Sequence, residues 1–113
     1  MSTVFDLLAR VQQNPGMYLG YPSVNSLFMF LNGYEVARGE MGVELTAEEE
    51  VFYDDFQPWL QQKLGVHSVT SWAKLIMLSC HDERAGFDKF FELLGEFQQQ
   101  RENVETNTGL MSA

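Results

Sequence analysis

The chain has 113 residues, 45% of them hydrophobic and nine of them phenylalanine, which is enough for one domain with its own core and too short for a second. Its net charge of −9 rests on 16 acidic and only seven basic residues, and it argues against a nucleic-acid partner, because phosphate binding needs clustered Lys and Arg. A single cysteine, Cys80, excludes an internal disulfide and fits a reducing compartment.

Thr3 reads as the N-cap of a first helix with Asp6 three residues on, and Val4, Leu7, Leu8 and Val11 recur at helical spacing to about Gln13. Asn14-Pro15-Gly16 stops it, since proline lacks an amide donor and disfavours helix in the residue before it. The stretch from Asn14 to Ser23 contains Pro15, Gly16, Gly20 and Pro22, yet it also carries Met17, Tyr18, Leu19 and Tyr21. That combination predicts a rigid, shaped turn whose large side chains seal one end of the core. A second helix starts at Pro22-Ser23, with an apolar stripe of Val24, Leu27, Phe28, Leu31 and Tyr34 widened by Met29 and Phe30. Gly33 inside it reads as a close helix crossing, and Gly39 and Gly42 end it.

Thr46-Ala47-Glu48-Glu49 is a capping box, and its glutamates complement the positive end of a third helix. Val51, Phe52, Phe56, Trp59, Leu60 and Leu64 carry the buried face, Pro58 predicts a kink or split near Asp55, and Gly65 is the stop. Caps for a fourth helix lie between Ser68 and Ser71. Trp72, Leu75, Ile76 and Ser79 share one face of it, and Met77 and Leu78 make the other side apolar, which predicts burial on two sides. Asp82 caps a fifth helix bearing Phe87, Phe90, Phe91, Leu94 and Phe97, after which the chain turns polar. Val66 to Thr70 is the one strand-like run and is too short to seed a sheet. The expected fold is all-α: a single compact domain of about five helices over 1–103, then a flexible C-terminal tail over 104–113.

No run approaches the ~20 consecutive apolar residues of a membrane span. Met1 to Asp6 has neither the basic region nor the apolar run of a signal peptide, so the expected setting is the cytoplasm, away from membranes. His67, Cys80 and His81 are the only soft donors, and the adjacent pair points about 100° apart on a helix, so neither a metal site nor a Cys–His nucleophile is expected. Gly16 and Gly20 match neither a phosphate-binding loop nor a dinucleotide fingerprint. With no motif for a cofactor and no convergent acid–base pair, the sequence predicts a protein that is not an enzyme.

The stronger signal is acidic. Glu35, Glu40, Glu44, Glu48, Glu49, Glu50, Asp54 and Asp55 lie in one window with Arg38 as the only opposite charge, and Tyr34, Tyr53 and Trp59 stand among or beside them. Aromatic anchors with an acidic rim are a common way for one protein to grip another. The candidate partner-binding residues are therefore Tyr34, Glu48, Glu49, Tyr53, Asp54 and Asp55, facing a basic protein. A different reading is a small helical ligand-binding or regulatory domain with a pocket of Met17, Tyr18, Tyr21 and Trp72. A homodimer burying its exposed aromatics is a third arrangement open to the chain.

Asn14-Pro15-Gly16-Met17-Tyr18-Leu19-Gly20, followed by Ser23, Leu27, Phe30-Leu31 and Gly33-Tyr34, resembles a group of small bacterial proteins. The later run Ser71-Trp72-Ala73-Lys74-Leu75-Ile76, with Asp82-Glu83, Ala85, Phe87-Asp88 and Phe90 to Leu94, does so too. The layout, over about residues 4–97, looks like that of cognate immunity proteins of polymorphic toxin systems or of uncharacterised relatives of them. The resemblance implies a cytoplasmic binder that blocks a toxin, with no catalytic residue and no cofactor. The residues carrying it belong to packing and turns, so it implies no particular contact residue.

Overall fold

Every long amphipathic pattern in the chain folds as helix, and so does part of the turn between the first two. The computed structural model describes residues 2–67 and 70–112, with side chains through residue 103. Its elements are α1 (Val4–Gln13), α2 (Pro15–Leu19), α3 (Val24–Glu40), α4 (Ala47–Leu64), α5 (Trp72–Met77) and α6 (Glu83–Ser112), and no strand occurs among the described residues.

The helix starts follow the caps written in the sequence. Thr3 Oγ1 accepts from the Asp6 N–H at 3.4 Å, and the Thr3 N–H donates back to Asp6 Oδ2 at 2.8 Å. At α4 the same reciprocal pair joins Thr46 and Glu49, at 3.2 and 3.0 Å. Ser23, Ser71 and Asp82 each accept from the N–H three residues on, opening α3, α5 and α6. Each cap satisfies a donor the first turn leaves unpaired.

Several expectations change or narrow. The Asn14–Ser23 stretch contains a short helix, because Pro15 is tolerated at the first helical position and Gly20, at φ 76°, closes it in the left-handed conformation. Within it Tyr18 and Leu19 pack on the core, but Met17 and Tyr21 are 74% and 53% exposed, so only half of the turn seals anything. Of the two outcomes expected at Pro58, a kink or a split, the split does not occur: α4 runs on as one element to Leu64 and ends at Gly65 as predicted. α5 stops at Met77, which leaves Leu78 69% exposed, while Met77 packs against the core, so the predicted second side is only half covered. Over 104–112, where the sequence predicts a flexible tail, the backbone continues α6 as helix; Ala113 lies outside the described residues, as do Ser68 and Val69.

The core is aromatic and centred on α4. Phe56 is ringed by Phe52, Trp59, Trp72, Phe90 and Phe97, with centroids 5.3 to 6.1 Å away, mostly edge to face. Val4, Leu8 and Val11 of α1 and Val24, Leu27 and Leu31 of α3 complete it. The close helix crossing falls at Gly86, not Gly33. A Cβ at Gly86 would stand 2.7 Å from Val24 Cγ1 and 2.8 Å from Met77 Sδ, whereas one at Gly33 meets nothing within 4 Å. This crossing packs α3, α5 and α6 together at one end. At the same end the Glu83 carboxylate accepts from the Ser23 hydroxyl at 2.7 Å, the Asn25 N–H at 3.1 Å and the Asn25 side-chain amide at 2.8 Å.

Candidate functional site

Two of the six residues predicted to bind a partner belong to the frame of the fold. Glu49 is the third residue of α4, and its side chain lies fully inside. Arg38, one turn from the end of α3, donates to both of its oxygens, to Oε1 at 3.3 Å. Glu49 Oε2 also accepts from the Val4 N–H at 2.9 Å, and Oε1 from the Thr46 N–H. One carboxylate thus holds the starts of α1 and α4 and the end of α3. Burial alone pushes the Glu49 carboxyl up, but the hydrogen bond from Arg38 and the Thr46 and Val4 amides outweigh it and hold it at about 2. The same hydrogen bond raises Arg38 above its ordinary value against the opposing effect of burial. Tyr34 is drawn into this frame as well, with the Arg38 guanidinium 5.1 Å from its ring centre. Glu49 is therefore withdrawn from the surface site, and Tyr34 belongs partly to the arginine.

The remaining four divide between two sides of α4. Successive helical residues are 100° apart, so Glu48 and Asp55, seven residues apart, share one edge of the helix, Tyr53 points well away from it, and Asp54 lies between the two sides. Asp55 faces α6 and pairs with Arg101 at 3.6 Å. Glu48 lines a cleft of about 390 Å³ with Phe5, Val51, Phe97 and Arg101, so its charge also has a cation nearby. Tyr53 turns the other way, toward α3, and lines a slot of about 160 Å³ with Phe28, Asn32, Glu35, Gln57 and Trp72. Glu50 and Asp54 lie one turn apart beside Tyr53 and Gln57 on the helix surface, both exposed. Among the described residues no cation pairs with Glu35, Glu50 or Asp54.

The alternative pocket residues do not converge. Trp72 packs in the core against Phe28, Phe56 and Phe90. Tyr18 meets Phe30 edge to face and lines a separate shallow depression with Leu19 and Met29. No group of three or more His, Cys, Asp and Glu among the described residues stands close enough to hold a metal ion. No described helix is long and apolar enough to cross a membrane.

Asn32 and Gln57 were not read from the sequence as site residues. The available signal was register: Phe28 and Glu35 are two helical turns apart with Asn32 between them, and Tyr53 and Gln57 are one turn apart. Pairing those two stripes requires knowing that α3 and α4 face each other across Trp72. Comparison with protein-family models, with curated proteins and with solved structures gave no match.

Proposed function

We propose that this chain is a non-enzymatic, cytoplasmic protein-binding domain of a bacterial cell, an immunity or inhibitor protein that blocks a cognate basic toxin. The observation that supports it is the face shared by α3 and α4, where Glu35, Glu50 and Asp54 are exposed and carry no cation among the described residues. Like charges one turn apart on a helix, as at Glu50 and Asp54, repel slightly, which offsets part of what Glu50 gains at the positive end of α4. A basic partner would relieve that repulsion and be steered in by the net charge of −9. The proposed binding surface accordingly keeps Tyr53 and Asp54 from the predicted set, adds Glu35 and Glu50, and leaves out Glu49 and the Arg101-paired Asp55.

The deciding experiment is capture and thermal shift with the protein encoded by the neighbouring gene. A stable complex that weakens steeply with salt is expected, and substituting Glu35, Glu50 and Asp54 together by their amides should slow association at least tenfold at low salt. A neighbour that neither binds nor raises the melting temperature would remove the inhibitor reading.

A further inference from the structure

The slot between α3, α4 and α5 has a chemistry of its own. Its walls are aromatic: Phe28 and Trp72 stand edge to face with centroids 5.1 Å apart, and Trp72 lies 6.1 Å from Phe56. Its polar lining, beside the Asn32 amide, offers acceptors that no described group engages. The Glu35 carboxylate has no cation among the described residues. Gln57 spends its side-chain amide on the Thr70 carbonyl at 2.7 Å, which leaves its Oε1 accepting from no described group. The Tyr53 hydroxyl is covered from solvent and has no hydrogen-bond partner among the described residues. A covered hydroxyl left unpaired costs about 1–3 kcal/mol, so the fold bears it as a standing expense.

Size then limits the occupant. At about 160 Å³ the slot falls below the ~300–1,000 Å³ of sites that enclose a small molecule, and it suits one long side chain. Aromatic walls, a lone carboxylate and spare acceptors favour a cation bearing N–H donors over an anion or a neutral group. Arg38, the nearest built-in cation, is already engaged by Glu49 and cannot swing in.

We infer that this slot receives a single lysine or arginine side chain of a basic protein partner, its stem along Phe28 and Trp72 and its charged end at Glu35, Gln57 and Tyr53. The inference rests on the protein-binding reading above and specifies its anchor. Burial, reinforced by Glu35 and Glu49, pushes the Tyr53 phenol up to about 12, so at neutral pH it is uncharged, its O–H free to point at Glu35 and its lone pairs open to such a group. A long stem lying on apolar surface with its charged head at the rim is the usual posture of these side chains.

The test needs no partner. The full chain, labelled with nitrogen-15, is titrated with N-acetyl-lysine amide, N-acetyl-arginine amide and N-acetyl-norleucine amide, the last having a stem without a charge. One or both cationic amides should shift the side-chain amides of Asn32 and Gln57 and the Trp72 indole N–H, while the norleucine amide leaves them in place. Glu35→Gln should weaken that binding about tenfold or more, as expected for loss of a charge-assisted hydrogen bond. Tyr53→Phe should weaken it too while keeping or raising the melting temperature, a split that a purely structural tyrosine would not give. Equal shifts with norleucine amide, no shift with either cation, or a Glu35→Gln variant with unchanged affinity would each overturn the proposal. Shifts in a chain that captures no basic protein would leave the slot standing and remove the inhibitor reading; a captured partner without shifts would remove the slot alone.

Discussion

Glu49 shows what a single side chain contributes when four N–H donors converge on it. Its spacing from Thr46 is legible in the sequence as a capping box, and that part of its role is what the structure contains. Its other partners, Arg38 and the Val4 amide, lie 11 and 45 residues away, and nothing local in the sequence announces them. An acidic run therefore reads as surface charge even where one member is fully buried. Removing it should be severe: Glu49→Ala leaves Arg38 buried and uncompensated and should cost about 3–5 kcal/mol in a urea titration. Acid should act on the same group. Because its folded pKa of about 2 lies below the ordinary carboxyl value of 4.5, its contribution is complete above about pH 4.5 and is lost as pH falls toward 2. The acid side of the stability profile should be measurably flatter in Glu49→Gln than in the native chain.

At the scale of elements, helix starts were more legible than helix ends. Thr3, Ser23, Thr46, Ser71 and Asp82 all cap where the sequence places them, because a cap is chemistry within three residues. Ends depend on neighbours: α5 stops at Met77 although the apolar pattern continues, and α4 passes through Pro58, which removes one amide donor and does not divide the helix in two. The role of each glycine was equally hidden, since a glycine at a crossing and one facing water look alike in a sequence. The two should respond oppositely to alanine. Gly86→Ala presses a methyl against the stiff, buried Val24 and should destabilise by about 1–2 kcal/mol, the overpacking cost exceeding the ~1 kcal/mol gained in helix propensity. Gly33→Ala enters open space and should stabilise by about 0.5–1 kcal/mol in the same denaturation assay.

For the molecule as a whole, the apolar periodicity was enough to predict an all-α fold, since the residues that recur at helical spacing are the buried ones: Val4, Leu7, Leu8 and Val11 in α1, and Phe87, Phe90, Leu94 and Phe97 in α6. The candidate site was legible only as composition. The acidic window was visible, but its division into an α6 side, where Asp55 has a cation, and an α3 side, where Glu35 has none among the described residues, depends on helix orientation. Packing concentrates on one ring. Phe56→Ala should cost about 3–5 kcal/mol by calorimetry or chemical denaturation, because the five aromatic side chains around the cavity cannot all close on it.

Glu83 carries a kinetic consequence. Its carboxylate begins α6 while holding Ser23 and Asn25 at the beginning of α3, and the Gly86 crossing clamps the two helices less than a turn further on. Neither helix can fray from that end without releasing the other, so their first turns form one cooperative opening unit. Native-state hydrogen exchange should give matching opening free energies for amides early in α3 and early in α6, and Glu83→Ala should lower both together. Loss of protection confined to α6 would mean that the helices open separately. If they open together, an event that loosens the start of α6 is felt at once in α3, the helix that supplies Phe28, Asn32 and Glu35 to the acidic slot.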